Sequence, residues 1–229
     1  MTSDSQPHSD SQPLYEVKES ELLVDAPIIA LRRDTISTAT GDAVREVVEH
    51  FGAVAVVAVK DGCVQLIRQY RHAVGEYLWE LPAGILDKVG ENPLVAAQRE
   101  LAEEAQLKAE SWHLLGDVVT SPGFAEERVR IFLAEDVSEL SEQDQDELGL
   151  ETQTGEEADL DVCWLPVEEA VQWVQEGKII NSIAVAGIAH LALGTRRSTN
   201  EPFTHVSGLK NRRENSEGVE PGTDMKSVR

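Results

Sequence analysis

Residues 84–107 read GILDKVGENPLVAAQRELAEEAQL, and this stretch carries the clearest secondary-structure signal in the chain. Asn92 is a favourable helix N-cap and Pro93 suits the first helical position, so the sequence predicts a helix from about Pro93 to Gln106. Apolar residues recur along it at helical spacing and form one stripe, made of Leu94, Ala97 and Leu101. One side of this helix therefore needs a core to pack against.

The face next to that stripe carries four charged side chains: Arg99, Glu100, Glu103 and Glu104. Glu100 and Glu104 are one turn apart, so their oxygens are placed to converge on a hard cation such as Mg²⁺. Arg99 and Glu103 are also one turn apart and are spaced for an ion pair that would orient the acidic cluster. Taken alone, the pattern is also typical of a solvated acidic helix face, because such charge pairs are common on helices.

Strand signals surround this helix. Residues 52–59 form an apolar run rich in β-branched side chains, Asp61 and Gly62 follow, and residues 63–70 form a second run. An Asp-Gly pair between two such runs predicts a β-hairpin. Further strands are expected near residues 112–119, 129–133 and 163–165, and further helices near residues 166–176 and 182–193. This mixture predicts an α/β fold, an α/β/α sandwich around a mixed sheet, preceded by a small N-terminal β-sheet.

The chain divides into four expected regions: a disordered N-terminus at 1–14, a strand unit at 15–50, the main domain at 51–194 and a disordered C-terminal tail at 195–229. Residues 135–161 hold twelve Asp and Glu and no Lys or Arg, so we expect a long solvated loop there. The tail has few large apolar residues, and we therefore expect deletion of residues 200–229 to leave turnover within about twofold.

The formal net charge of −22 argues against the basic surface of a nucleic-acid-binding protein. Residues 195–229 contain seven Lys and Arg against five Asp and Glu, so the preceding 194 residues carry about −24. Such an acidic body repels phosphates, and a phosphate-binding function would require divalent cations or a local arginine. The sequence shows neither a long apolar span nor a signal peptide, so we expect a cytoplasmic location and no membrane partner.

The stretch from Gly84 to Leu107 resembles the Nudix box, written G-x5-E-x7-R-E-U-x-E-E-x-G-U with U apolar. The positions of Glu91, Arg99, Glu100, Glu103 and Glu104 match this pattern, as do those of Leu101 and Leu107. Six residues rather than five follow the first glycine, which lengthens a loop. Gln106 stands where the pattern has glycine, a position that usually needs a left-handed backbone, at a cost of about 1 kcal/mol.

The resemblance extends over roughly residues 45–194. Within the Nudix hydrolases, this part of the sequence is similar to the ADP-ribose pyrophosphatase branch. Pro122 lies fifteen positions after Leu107, as in that branch. The stretches at 68–71, 79–84 and 156–159 also look like it. The resemblance implies hydrolysis of ADP-ribose to AMP and ribose 5-phosphate with Mg²⁺, or Mn²⁺ as a substitute.

The resemblance also implies site residues. The carbonyl of Ala83 and the carboxylates of Glu100 and Glu104 would hold Mg²⁺, with Arg99 and Glu103 in support. Arg71 would contact the diphosphate, although an ordinary surface arginine at a strand end is an equally good interpretation. Glu156 would be the general base and Glu157 the second choice, but either is also one acid among many in a solvated loop. Glu126, Glu127 and Glu103 are the next candidates for the base.

Three further interpretations stay open at this stage. Another nucleoside diphosphate sugar or a dinucleotide is an alternative substrate. A different class would be a nucleotide-sensing module without catalysis, which the intact box carboxylates disfavour. An isomerase of allylic diphosphates with a reactive cysteine is disfavoured because Cys63 and Cys163 are predicted to be buried thiols.

The oligomeric state is a separate expectation. Residues 15–50 are too short for a core of their own, and with the resemblance this implies a homodimer in which they close the partner's pocket.

Overall fold

The computed structural model describes residues 15–148 and 160–228. The expected disorder of residues 1–14 concerns a part of the chain outside this range. None of the helices in the described ranges is long and apolar enough to cross a membrane.

The first three strands form a separate antiparallel sheet, as predicted. They are β1 (Val17–Asp25), β2 (Ile29–Thr38) and β3 (Gly41–His50), and β2 lies in the middle. Gly41 has a φ of 124°, a conformation open to glycine at the β2–β3 turn. Much of this sheet's apolar surface is exposed, including the side chains of Val17, Leu22, Val24, Ile29 and Val44.

The remaining strands form a seven-stranded mixed sheet. They are β4 (Ala53–Lys60), β5 (Cys63–Arg71), β6 (Glu76–Glu80), β7 (Ala83–Ile85), β8 (Leu107–Val119), β9 (Arg128–Glu139) and β10 (Asp161–Pro166). The main path is β10-β5-β4-β9-β8, with β6 on β5 and β7 on β4. The β4–β9 pair is parallel and the other pairs are antiparallel. The predicted hairpin joins β4 to β5, and its turn residues Asp61 and Gly62 both have positive φ.

Helices cover both faces of this sheet because β4 is apolar on both. Val54, Val56 and Ala58 face the core under α1 (Pro93–Ala105). Ala55 and Val57 face the opposite core, under the pair α3 (Val167–Gln175) and α4 (Ser182–Ala192). The predicted α/β/α sandwich is confirmed. The free thiols of Cys63 and Cys163 are half-buried, which is less than the full burial expected from the sequence.

The expected long loop at residues 135–161 is wrong in its first part. Strand β9 continues to Glu139 because it keeps its pairing with β8, with Leu107 opposite Glu139. Helix α2 (Glu142–Leu148) follows, with the Ser141 side chain and Asp144 exchanging hydrogen bonds at its start. Local acidity hid both elements, although Asp136, Glu139, Glu142 and Asp146 lie at exposed positions, where charge is compatible with a strand or a helix.

The expectation of a disordered tail is also wrong for residues 195–228. This segment contains α5 (Gly208–Glu214) and a 3₁₀ turn at Met225–Ser227. Leu209 and Met225 are fully buried in a small core with Ala30 and Phe51. Average composition could not reveal this, because a few apolar side chains, Phe203, Leu209 and Met225, make the contacts with the cores.

Ion pairs complete the attachment of the tail to the N-terminal sheet. Arg213 pairs with Asp25 at 2.6 Å, and Arg212 pairs with the buried Glu49. Burial alone would raise the pKa of Glu49, but the hydrogen bonds from Arg212 and Arg32 lower it below its ordinary value. The basic character of the tail therefore serves to bind it to an acidic body.

Candidate active site

Helix α1 begins and ends where the sequence predicts. The side chain of Asn92 accepts a hydrogen bond from the backbone N–H of Leu94 at 2.8 Å. At the other end Gln106 has φ 56° and ψ 37°, the left-handed conformation that the glycine of the pattern would adopt. Its side-chain amide donates to the carbonyls of Ala102 and Glu103, which compensates part of the backbone cost.

Arg99 organises the acidic face of α1. Its guanidinium lies 2.6 Å from an oxygen of Glu100, 2.9 Å from one of Glu103 and 3.2 Å from one of Glu91. The Arg99–Glu103 pair indicated by the spacing is therefore present. Glu91, which the sequence placed in the box without a role, joins the loop before the helix to the same arginine.

Glu100 is buried directly beneath the backbone of β7. A Cβ built on Gly84 would lie 2.0 Å from the carboxylate carbon of Glu100, so any larger residue there would displace that carboxylate. Desolvation by burial, together with the nearby Glu103 and Asp87, raises the pKa of Glu100 to about 7 against the opposing effect of Arg99. A buried carboxyl group in acidic surroundings would be stabilised as an anion by a cation at this position.

Glu104 contacts the neighbouring residue of the same strand. One of its carboxylate oxygens accepts a hydrogen bond from the backbone N–H of Ala83 at 2.8 Å. The structure thus brings Ala83, Glu100 and Glu104 together at the junction of β7 and α1. Across residues 15–148 and 160–228, no group of three or more acidic, histidine or cysteine side chains is arranged to hold a metal ion by itself. Mg²⁺ commonly takes one or two protein carboxylates and keeps several waters, so the donors present here fit that ion.

A cleft of about 400 Å³ opens beside this junction. It is lined by residues from both sheets and from the start of α4, including Arg71, Leu78, Glu80, Ala83, Gly84 and Asn181. Arg71 lies on one wall, where its guanidinium donates to both oxygens of the buried Glu80 at 2.5 to 3.1 Å. This pair holds the arginine at the cleft while its side chain remains 43% exposed.

His50 and Glu127 also line the cleft, and sequence reasoning did not assign these two residues together. Nδ1 of His50 lies 3.4 Å from Glu127, but it accepts a hydrogen bond from the backbone N–H of Gly52 at 3.2 Å. Desolvation lowers the pKa of His50 despite the charges of Glu127 and Glu126. We therefore describe the ring as neutral, with Nδ1 as an acceptor, rather than as an ion-pair partner of Glu127.

The fallback candidates for a general base occupy different surroundings. Glu126 pairs with Arg32 at 2.9 Å and accepts from the N–H of Gly208, and Glu103 pairs with Arg99. Glu127 lines the cleft and accepts from Thr120 at 2.5 Å. The first two choices, Glu156 and Glu157, lie outside the described residues.

The sandwich and the acidic helix held against β7 define the class of protein as a Nudix hydrolase. The family model described as "NUDIX domain" matches residues 48–182, and the chain belongs to this family. It is a Nudix pyrophosphohydrolase, and Nudix hydrolases generally use divalent metal ions. The fold and the family expected from the sequence are thereby confirmed.

Relatives narrow the comparison further. The chain is 47% identical over 176 residues to the ADP-ribose pyrophosphatase of Mycobacterium tuberculosis, covering 76% of this chain and 81% of that protein. It is 33% identical over 184 residues to the methanol dehydrogenase activator of Bacillus methanolicus, covering 79% of this chain and 95% of that protein. A solved structure titled "Crystal structure of ADP compounds hydrolase" shares the fold with a TM-score of 0.66 at 20% identity, covering 81% of this chain and 96% of that one.

The close approach of Gly84 to Glu100 gives a direct test of the site. Gly84→Ala should displace the Glu100 carboxylate and lower kcat by at least about 10²-fold, the scale on which misplaced catalytic groups reduce rates. Gly123→Ala is the control, because Gly123, like Gly84, has no positive φ but has nothing within 4 Å of an added Cβ. Rates at saturating metal and melting curves of both variants check this. Normal turnover in Gly84→Ala would show that Glu100 tolerates displacement.

Proposed function

We propose that this Nudix hydrolase splits ADP-ribose into AMP and ribose 5-phosphate with Mg²⁺, for which Mn²⁺ can substitute. The observation that carries the proposal is the meeting of Glu100 and Glu104 with the backbone of β7 at the wall of a cleft. The similarity to an ADP-ribose pyrophosphatase over most of both chains supports the substrate.

The proposed metal ligands are the carbonyl of Ala83 and the carboxylates of Glu100 and Glu104. A bound divalent ion would supply neutralisation of charge on the diphosphate and a water of lowered pKa. Arg99 keeps Glu100 in place from one side, and Glu103 and Glu91 hold Arg99 in turn. The acidic cluster thus has its own internal cation, which limits the repulsion among its four carboxylates.

Arg71 is proposed to bind the diphosphate of the substrate. Its ion pair with Glu80 fixes the guanidinium at the cleft wall, and 43% of the side chain remains accessible. A planar guanidinium suits phosphate oxygens, and an acidic protein needs such a local positive charge to admit a dianionic substrate.

Hydrolysis requires a base that removes a proton from water as its oxygen attacks phosphorus. Glu156 is the proposed base and Glu157 the second choice. Glu127 is the next candidate, since it lines the cleft while Glu126 and Glu103 are held by arginines. Attack at either phosphorus breaks the bridge between the two, so both routes give AMP and ribose 5-phosphate.

Two alternatives have specific support. Another nucleoside diphosphate sugar or a dinucleotide would offer the same diphosphate to Arg71. A role in activating another enzyme is suggested by the relative named methanol dehydrogenase activator, although the box carboxylates of this chain are all present.

The substrate proposal is tested with a panel of nucleoside diphosphate sugars and NADH in the presence of Mg²⁺. We expect ADP-ribose to give the highest kcat/KM, and chromatography should identify AMP and ribose 5-phosphate. A chelator should abolish turnover, and added Mg²⁺ or Mn²⁺ should restore it, because the diphosphate charge is otherwise unneutralised. Turnover in metal-free enzyme would contradict the proposed mechanism, and preference for another sugar would correct the substrate alone.

The dependence of the rate on Mg²⁺ concentration distinguishes a variant that lacks a metal ligand from one that lacks the general base. Glu104→Gln should raise the Mg²⁺ concentration for half-maximal rate steeply, and excess metal should restore part of the rate. Glu156→Gln should lower kcat by about 10² to 10⁴-fold with an unchanged metal requirement.

Glu157→Gln and Glu127→Gln serve as the matched comparisons for that experiment. If Glu156→Gln keeps its rate while one of the comparison variants loses it without a change in metal requirement, the base is that other glutamate. If all three remain active, none of them takes the proton.

We also propose a homodimer formed through the N-terminal sheet. The exposed apolar side chains on β1 to β3 are a surface that a second copy would cover. Light scattering at micromolar concentration should give twice the chain mass, and Val24→Glu should shift the protein toward monomer because it places a charge in the covered surface. A monomer mass for the unaltered protein would contradict this proposal.

A further inference from the structure

The end of the chain lies against the loop that precedes the acidic helix. We call residues 220–228 the C-terminal strap and residues 86–91 the box loop. The strap lies outside residues 48–182, which the family model matches, so the family likeness gives it no role.

The strap and the box loop are joined by backbone hydrogen bonds. Val89 N–H donates to the carbonyl of Thr223 at 3.0 Å, and Gly222 N–H donates to the carbonyl of Val89 at 2.8 Å. Met225 N–H donates to the carbonyl of Asp87 at 2.8 Å. These three bonds pair the two segments in the manner of a short antiparallel ladder.

Side chains strengthen this attachment at two points. Lys226 forms an ion pair with Asp87, which is only 5% exposed. A buried carboxylate that loses its cationic partner is strongly destabilising, so this pair fixes the box loop more firmly than an exposed pair would. Met225 is fully buried, and Ile85 and Val89 pack against the small core to which it belongs.

The box loop leads directly into the acidic cluster. Its last residue, Glu91, pairs with Arg99, and Arg99 in turn contacts Glu100 at 2.6 Å. At its other end the loop continues from β7, whose Gly84 lies over Glu100. A change in the loop therefore reaches Glu100 by two routes.

We propose that the C-terminal strap is a positioning element of the active site, in which Lys226 holds Asp87 so that the Glu91–Arg99 pair keeps Glu100 aligned for metal binding. The proposal rests on the metal-binding role proposed for Glu100. It reverses the sequence-based expectation that the tail is dispensable. A simple structural staple would differ, because its loss would lower thermal stability without changing the response to metal.

The test uses full-length Lys226→Met, with Lys226→Arg as the conservative variant. Lys178→Met is the control, since Lys178 also forms an ion pair with a carboxylate, that of Glu176, and follows α3 on the other face of the sheet. Hydrogen exchange of the peptide covering residues 86–91 and binding of Mn²⁺ are measured below the melting temperature, without substrate. Steady-state rates are then recorded against Mg²⁺ and against ADP-ribose.

We expect Lys226→Met to accelerate exchange of the box loop by about tenfold and to weaken Mn²⁺ binding by about three- to tenfold. The KM for ADP-ribose should stay within about twofold, because Arg71 and its cleft wall are unchanged. Lys226→Arg should retain most of the wild-type behaviour, and Lys178→Met all of it.

Faster exchange with wild-type Mn²⁺ affinity would overturn the proposal in favour of a staple, and so would wild-type exchange. If Lys226→Met melts below the working temperature, the double variant Asp87→Asn/Lys226→Met is used instead, because it removes the unpaired buried charge. Weakened Mn²⁺ binding by this folded protein would support the proposal, and normal binding would overturn it. Exchange and Mn²⁺ binding need no substrate. Failure to hydrolyse ADP-ribose would therefore refute the proposed function, but the conclusion drawn from exchange and Mn²⁺ binding would be unchanged.

Discussion

The close contact between Gly84 and the buried carboxylate of Glu100 is the constraint on which the site depends. It requires β7 to lie directly over α1, and this in turn requires an apolar stripe on the helix and an apolar face on β4. The absence of a side chain at Gly84 leaves the space that the Glu100 carboxylate occupies. The packing of α1 against the sheet therefore sets both the core and the position of the Glu100 carboxylate.

An acidic protein that handles a diphosphate needs cations placed at chosen points. On the acidic face of α1, Arg99 forms ion pairs with three carboxylates. At the cleft wall, Arg71 forms an ion pair with Glu80. Because each guanidinium is held by ion pairs with acidic residues, its positive charge stays at one position in the site. The negative charge elsewhere on the body then disfavours nonspecific binding of nucleic acids while leaving the cleft accessible to a small anion.

Arginine-centred networks also join parts of the chain that are far apart in sequence. Arg32 of the N-terminal sheet contacts Asp34, Glu49 and Glu126, and Glu49 is shared with Arg212 of α5. A network of this kind is costly to bury unless every member is paired, and its pairing fixes the relative positions of the sheet, the loop after β8 and the tail. The N-terminal sheet is thus attached by these ion pairs as well as by the small core that includes Ala30.

The sequence by itself determined the elements whose signals are local: the β4–β5 hairpin from Asp61 and Gly62, the helix from Asn92 to the left-handed Gln106, and the Arg99–Glu103 pair one turn apart. These depend on backbone preference and on helical periodicity, which act over a few residues. Only the tertiary structure decided that Leu209 and Met225 have a groove to fill and that Lys226 meets Asp87. It also placed His50 and Glu127 in the same cleft as Arg71. Each of these contacts joins residues distant in the chain, and composition averaged over a segment contains no information about which few side chains find a partner.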